Sequence, residues 1–265
     1  ILNMSYQLHP PVYPNSVVDQ CREKVDENMK GIVYHQKTMS LHFNWSMPFP
    51  PKLETVYAQS SRLYIIDPRF SLNAPNLRHI YLQNNFILSL RGEIRAKNNY
   101  IETLDISNNF CTHIFRSIDG QHIRYLNLSH NHISKDLEED TNGELLETFT
   151  NLEVLDLSFN KISSLPKLLL KKTKHLRCLN TSNNRISSWM VDMRTVSKLK
   201  LLDLSDNKLK TLDEGDFNQI EELFERSNLT IDLSGNDLAC TCENQNFLRC
   251  MLKYRKHFLN IKNYS

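Results

Sequence analysis

The stretch Leu152-Glu153-Val154-Leu155-Asp156-Leu157-Ser158-Phe159-Asn160-Lys161-Ile162 decides the fold. We number its residues 1 to 11, so that leucine or isoleucine occupies positions 1, 4, 6 and 11 and asparagine occupies position 9. The alternation of apolar and polar residues around positions 4 to 6 predicts a short β-strand with one buried face. The frame occurs eight times, at intervals of 22 to 29 residues. Position 9, the predicted repeat turn, holds Ser61, Asn85, Asn109, Asn131, Asn160, Asn184, Asn207 and Asn236.

These copies predict a stacked architecture. One short strand cannot bury its apolar face alone, but stacked copies share a continuous core. The asparagine at position 9 turns the chain away from the strand, and its amide can satisfy backbone groups of the turn and of the next coil. Eight copies in register constitute the leucine-rich repeat pattern. The sequence therefore predicts an α/β solenoid over residues 51–238, a leucine-rich repeat horseshoe with a parallel concave β-sheet and an irregular or short helical convex side.

Residues 1–50 do not fit the regular frame. Six of the nine prolines lie within the first 51 residues, which indicates an irregular segment that leads into the solenoid. Two interpretations stand for the part nearest the repeats. Residues 29–39 match a degenerate copy of the repeat, whereas the strict alternation of residues 41–49 predicts a single strand.

The connections between strands predict the convex side. Leu209, Leu212, Phe217 and Ile220 form an apolar series that we expect to cover the core. Cys111 occupies position 11 of its repeat, so we expect a small buried hydrophobe there. The two longest repeats carry acidic insertions within residues 138–140 and 213–222, and we interpret these as solvated surface rather than as a binding site.

Composition excludes several classes of protein. The chain has 265 residues with 32 Lys+Arg against 30 Asp+Glu, and a net charge of +2 argues against a dedicated nucleic-acid-binding domain. No run of about 18 apolar residues predicts a membrane-spanning helix. Glycine-rich phosphate loops are absent from the sequence, and so is a signal-peptide layout at Ile1. We expect the chain to be a piece of a longer protein.

Residues 239–265 carry a cysteine motif, Cys240-Thr-Cys242-x-x-x-x-Phe247-Leu248-x-Cys250. It resembles the cap that closes extracellular leucine-rich repeat arrays, although Cys250 stands where that family has tryptophan. The resemblance implies a cap truncated at Ser265, with two further cysteines downstream that pair with Cys240 and Cys242. A zinc site from the three cysteines is disfavoured by the C-x-C spacing and the missing fourth ligand. A disulfide between Cys250 and one of its two neighbours is a further alternative.

Glycosylation sequons favour a secreted or luminal compartment. Six N-x-[ST] triplets occur, at Asn3, Asn44, Asn127, Asn180, Asn228 and Asn263. Asn127 and Asn180 occupy position 5 of their repeats, where we expect the side chain to point outward on the concave face. A sugar at either residue would block that face.

The repeat length, the Leu-Asp-Leu-Ser-x-Asn text at residues 155–160 and 202–207, and the cysteine motif together resemble a Toll-like receptor ectodomain over residues 51–252. The resemblance implies a glycoprotein of innate immunity and signal transduction, on the extracellular or endosomal lumen side of a single-pass membrane protein. It implies a microbial or endogenous pattern ligand, a receptor homo- or heterodimer, and membrane anchoring through a downstream helix. The resemblance includes nucleic acid among the partners only as a ligand that the receptor recognises. The alternative is an extracellular adhesion or matrix leucine-rich repeat protein that mediates protein–protein contacts.

The concave face is the expected binding surface of a solenoid. Aromatic residues gather in the first four copies and form a candidate contact surface: Tyr57, Tyr81, Phe86, Phe110 and Tyr125. The alternative for Phe86 and Phe110 is a stack of rings at the edge between strand and turn. At position 5, Asp105, Asp156, Asp203 and Asp232 are expected on an open, solvated face that does not shift a pKa. No catalytic, cofactor or metal residues are predicted.

Overall fold

The computed structural model describes residues 31–33, 53–66, 75–90, 100–113, 118–238 and 245–260. Twelve strands lie in this part of the chain: β1 (Gly31–Val33), β2 (Thr55–Tyr57), β3 (Ile65–Ile66), β4 (His79–Tyr81), β5 (Ser89–Leu90), β6 (Thr103–Asp105), β7 (Tyr125–Asn127), β8 (Val154–Asp156), β9 (Cys178–Asn180), β10 (Leu201–Asp203), β11 (Thr230–Asp232) and β12 (Phe258–Leu259). Ten of them form one open parallel sheet in the order β1-β2-β4-β6-β7-β8-β9-β10-β11-β12. This is the predicted leucine-rich repeat solenoid.

Each regular repeat contributes one strand that covers its positions 3 to 5. Neighbouring strands pair position for position, as in Leu155 opposite Leu179 and Leu179 opposite Leu202. The register keeps every apolar position in line with its counterpart in the next repeat. Leu155, Leu157 and Ile162 are fully buried in the resulting core. Each such side chain stabilises the fold by about 1.5–3 kcal/mol relative to an exposed one.

The sheet extends beyond the eight regular repeats at both ends. Gly31 of β1 lies opposite Thr55 and Ile32 lies opposite Val56, so β1 falls in the frame of the degenerate copy at residues 29–39. The competing strand at residues 41–49 lies outside the described residues. At the other end Phe258 of β12 pairs with Ile231, an extension that the sequence did not predict.

Helices and a second, smaller sheet occupy the connections between the strands. Helices α1 (Ser134–Glu138) and α2 (Glu214–Ser227) lie in the two longest repeats, and α3 (Gln245–Lys253) follows the last regular one. Strands β3 and β5 pair with each other just after the turns of the first two regular repeats. As predicted, Leu212, Phe217 and Ile220 are buried against the core. Within the described residues, none of the helices has the length and apolar character needed to cross a membrane.

One acidic insertion differs from its prediction as solvated surface. Asp140 is buried, and its carboxylate accepts hydrogen bonds from the main-chain N–H groups of Glu144 at 2.7 Å and Leu145 at 3.3 Å. Its neighbours Glu138 and Glu139 are exposed. Asp140 therefore stabilises the turn that follows α1.

Helix α3 covers the end of the core. The Phe247 ring packs against Phe217 at a centroid distance of 5.2 Å, and Tyr254 packs against Phe224 at 5.1 Å. Cys250 is a buried free thiol, and burial raises its pKa to about 11. The alternative of a disulfide at Cys250 is therefore wrong. Cys240 and Cys242 lie outside the described residues.

Cys111 is the buried small hydrophobe that the sequence predicts. It is a fully buried free thiol, and burial raises its pKa to about 12. Its Sγ atom lies 3.3 Å from the carbonyl oxygen of Ile87 in the preceding repeat. The thiol therefore fills a core position.

Candidate interaction surfaces

The asparagines at position 9 bond to the main chain of two repeats at once. Nδ2 of Asn184 donates to the carbonyl oxygens of Thr181 and Ser182 in its own repeat and of Leu157 in the preceding repeat, at 2.9–3.1 Å. Its Oδ1 accepts from the N–H of Ile162, also in the preceding repeat, at 3.0 Å. All seven asparagines make this set of bonds, and we call them the turn column: Asn85, Asn109, Asn131, Asn160, Asn184, Asn207 and Asn236.

The prediction that these amides bond to the main chain of the turn is confirmed, but the prediction that they also bond to the next coil is wrong. They satisfy the turn and the preceding repeat, rather than the next coil, because the side chain points back into the stack. Ser61, which replaces asparagine in the first regular copy, bonds through Oγ to the carbonyl oxygen of Gln59 at 3.0 Å. Its own N–H donates to Oδ1 of Asn85 at 2.8 Å, so the second copy holds the first turn.

Position 8 adopts a left-handed backbone in all eight regular repeats. The eight residues have φ between 51° and 67°: Ser60, Asn84, Asn108, His130, Phe159, Asn183, Asp206 and Gly235. Phenylalanine is a costly residue there, since its Cβ crowds the following carbonyl. The Phe159 ring remains exposed and stacks on His130, with ring centroids 4.0 Å apart and planes within 10°.

The aspartates and asparagines at position 5 are buried, contrary to the sequence-based expectation of an open, solvated face. We call its polar members the strand column: Asp105, Asn127, Asp156, Asn180, Asp203 and Asp232. In every case Oδ1 accepts from the N–H of the serine two residues later, at 2.9–3.0 Å. The side chain thus folds back onto its own repeat instead of reaching into solvent.

The strand column also links neighbouring repeats through side chains. Nδ2 of Asn180 donates to Oδ2 of Asp156 at 3.2 Å, and Nδ2 of Asn127 donates to Oδ2 of Asp105 at 3.4 Å. Burial raises the pKa of Asp156 to about 6, although the hydrogen bonds from Ser158 and Asn180 act in the opposite direction. Burial likewise raises the pKa of Asp203. The prediction that this face shifts no carboxyl pKa is therefore wrong at Asp156 and Asp203.

The predicted aromatic contact surface divides into two groups. Tyr57 and Tyr81 stack at 4.9 Å on the sheet, and Tyr81 is buried. Tyr125 is half-buried and packs against an apolar cluster at position 3 made by Val154, Cys178 and Leu201, which we did not predict. Cys178 is disulfide-bonded.

Phe86 and Phe110 belong to the second group, which lies at the edge of the sheet where the strands end. Their rings stack at 6.0 Å, as the edge alternative predicts, and both remain exposed, at 39% and 43%. Tyr64 extends the stack on one side at 5.2 Å and His132 extends it on the other at 6.0 Å. We call these four residues the edge stack. Leu88, which is 54% exposed, is a further apolar residue of the repeat that contains Phe86.

The opposite edge, where the strands begin, carries ion pairs at position 2. Arg124 contacts Glu153 at 2.6 Å, Arg177 contacts the same carboxylate at 3.5 Å, and Arg78 contacts Glu102 at 3.7 Å. These side chains are partly exposed, so each pair contributes only about 0–1 kcal/mol. In the described part of the chain, no group of three or more His, Cys, Asp or Glu residues is placed to hold a metal ion.

The three sequons that the structure describes differ in accessibility. Asn127 and Asn180 are buried members of the strand column, whereas Asn228 is exposed at the end of α2. Asn3, Asn44 and Asn263 lie outside the described residues.

Comparisons with known proteins agree with this architecture. Family models described as leucine rich repeat match residues 51–133, 121–168 and 198–220. Toll-like receptor 4 of Pinctada imbricata is 31% identical over 202 residues, which cover 75% of this chain and 22% of that protein. Lumican of Bos taurus is 27% identical over 210 residues, covering 62% of this chain and 60% of lumican. The chain thus spans only part of either relative.

A solved structure supports the fold independently. Human 5T4 (Wnt-activated inhibitory factor 1, trophoblast glycoprotein) superposes with a TM-score of 0.68 at 19% identity, covering 82% of this chain and 81% of that one. At this identity the likeness concerns the fold. The repeated frame, the parallel sheet with its turn column and these matches together identify the chain as a member of the leucine-rich repeat family.

Proposed function

We propose that this chain is part of the ligand-binding and dimerising ectodomain of a Toll-like pattern-recognition receptor. The protein would be a single-pass membrane glycoprotein that presents these repeats outside the cell or in the endosomal lumen. The observation that carries the proposal is the edge stack, because three exposed aromatic rings on neighbouring repeats offer contact area that the core does not use. The match to a Toll-like receptor over 75% of the chain supports the receptor class.

A binding role fits the described polar residues better than a catalytic one. The carboxylates of the strand column are engaged by serine N–H groups of their own repeats, as Asp156 is by Ser158 at 2.9 Å. A group so engaged supports the turn rather than standing ready to accept a substrate proton. The relatives are receptor and matrix-type proteins.

Sedimentation velocity tests the edge stack. The chain, secreted from eukaryotic cells, is compared with a Phe86→Ala/Phe110→Ala variant, alone and with lipopolysaccharide, bacterial lipopeptide or single-stranded RNA added separately. We expect association, spontaneous or driven by one of these probes, that the double variant loses. Leu252→Ala is the matched control, because Leu252 is an apolar side chain 77% exposed on α3, away from the edge stack. Equal association of all three proteins would contradict the proposed surface.

The second candidate is an extracellular adhesion or matrix protein, and the lumican match favours it, since it extends over 60% of that matrix proteoglycan. Reading the full-length transcript distinguishes the two. A membrane-spanning helix followed by a Toll signalling domain supports the receptor, whereas a transcript without them supports the matrix protein.

A further inference from the structure

The structure describes three sequons, and in two of them the side-chain amide of the asparagine forms hydrogen bonds within the strand column. In Asn180, Oδ1 accepts from the N–H of Ser182 at 3.0 Å and Nδ2 donates to Asp156 at 3.2 Å. In Asn127, Oδ1 accepts from Ser129 at 3.0 Å and Nδ2 donates to Asp105 at 3.4 Å. Both amides are therefore committed to the strand column, and both residues are at most 9% exposed.

A glycan on either residue conflicts with the packed sheet. N-glycosylation replaces one hydrogen of Nδ2 by a sugar and places the first ring directly beside the amide. Parallel strands lie only about 4.8 Å apart, so the rings would lie over neighbouring side chains of the column. Ser129 and Ser182, the hydroxyl residues of these two sequons, are buried as well. A chain modified there would lose column hydrogen bonds on folding.

Asn228 occupies a different environment. It ends α2 in a left-handed conformation, with φ 55° and ψ 46°, which asparagine adopts more readily than other non-glycine residues. Leu229 beside it is buried, and Thr230, the hydroxyl residue of the sequon, is half-buried at the start of β11. The chain thus turns sharply from helix to strand, and the Asn228 side chain lies exposed at the corner.

We propose that Asn228 is an N-glycan acceptor in the folded protein and that Asn127 and Asn180 are not modified. The inference rests on the proposed passage through the secretory pathway. In the reaction, Nδ2 of Asn228 forms a bond to the anomeric carbon of a lipid-linked oligosaccharide. The bond from that carbon to the lipid diphosphate breaks, the diphosphate leaves with the electron pair, and the amide proton passes to the transferase or solvent.

The test is site-resolved mass spectrometry of folded monomer secreted from eukaryotic cells. Peptide N-glycosidase in heavy-oxygen water converts each glycosylated asparagine to labelled aspartate. We expect the label on most copies of Asn228 and none on Asn127 or Asn180. In addition, Asn228→Gln should remove the mass of one glycan, whereas Asn142→Gln should not, because Asn142 is exposed but lies outside any sequon.

The outcomes that overturn the inference are distinct from those that overturn the compartment. Label on Asn127 or Asn180, or label at Asn3, Asn44 or Asn263 without Asn228, rejects the assignment and leaves secretion intact. Absence of label at all six sequons rejects the proposed compartment together with the glycan.

Discussion

The turn column and the strand column are both periodic rows of buried polar side chains, but they bond to different things. Asn184 in the turn column reaches main-chain atoms of two repeats, such as the carbonyl oxygen of Leu157 and the N–H of Ile162. Asp156 in the strand column bonds chiefly to Ser158 of its own repeat and receives one side-chain bond from Asn180. The first row joins repeats through the backbone, whereas the second mainly completes a local turn.

The sequence varies less in the turn column than at position 5. Position 9 is asparagine in seven of the eight regular copies. Position 5 is aspartate, asparagine or tyrosine. The two tyrosines, Tyr57 and Tyr81, stack on each other, and each precedes a glutamine rather than a serine by two residues. Main-chain partners are the same groups in every copy, so one amide side chain suits them all, and only the first copy has a serine instead. Side-chain partners can change together with the residue that they serve.

Substitution in the turn column should have the largest effect. Asn160→Leu removes the donor to the carbonyl oxygens of Leu128, Leu157 and Ser158, which lie 2.9–3.1 Å from Nδ2. Each of these carbonyl oxygens keeps one other donor, whereas the buried N–H of Ile133 loses its acceptor. A lost hydrogen bond costs about 0.5–1.5 kcal/mol and an unsatisfied buried group about 1–3 kcal/mol, so we expect a total loss of about 2.5–7.5 kcal/mol. Urea denaturation measures it. Asn142→Leu on the exposed surface should stay within about 0.5 kcal/mol of wild type, and equal losses would refute the register.

The strand column should appear in the pH dependence of stability. Because folding raises the pKa of Asp156 from 3.8 to about 6, the folded state binds the extra proton between those values. This contribution is fully present below pH 3.8 and is lost as the pH rises through about 6. Between pH 7.5 and 4.5, wild type should gain about 2 kcal/mol relative to Asp156→Asn, which has no titrating group there. A free-energy difference independent of pH would contradict the burial of this carboxyl group.

The turn column was predictable because its signal is local and repeated. Asparagine five residues after a buried leucine or isoleucine, followed by an apolar residue two later, recurs from Asn85 to Asn236. The alternation of apolar and polar residues likewise predicted the positions of the strands. The burial of the strand column was missed because alternation alone puts position 5 on the outer face. A signal was present: each aspartate or asparagine at position 5 precedes a serine by two residues, whereas Tyr57 and Tyr81 precede Gln59 and Gln83.

The aromatic residues show a difference in burial that the sequence pattern alone does not predict. The sequence treated Tyr81 and Phe86 as one surface, yet the first is buried on the sheet and the second is exposed at its edge. Five residues apart, they straddle a turn whose left-handed position 8 redirects the chain at Asn84. The extension of the sheet by β12 was also missed, because the frame that starts at Arg255 has this charged residue at position 1 and Asn260 at position 6, where most copies have apolar residues.

The smallest effect should come from the exposed position 2. Glu153→Ala removes the pairs with Arg124 at 2.6 Å and Arg177 at 3.5 Å, and both arginine side chains are about half exposed. We expect a loss of less than about 1 kcal/mol in denaturation experiments, and a smaller loss in high salt because the charges are screened. If the loss were as large as that of Asn160→Leu, burial would not explain the relative contributions of the turn column, the strand column and the ion pairs at position 2 to stability.

The central claim is that the turn column joins each repeat to the one before it. Native-state hydrogen exchange of the Ile162 amide tests this directly, because that N–H donates to Oδ1 of Asn184 at 3.0 Å, across 22 residues of sequence. In Asn184→Ala, Ile162 should lose protection while the distant core strands remain protected. In Asp203→Asn, a strand-column control, Ile162 should exchange as in wild type. If Asn184→Ala leaves Ile162 protected and loosens only residues after 184, the turn column does not join the repeats in the direction that we describe.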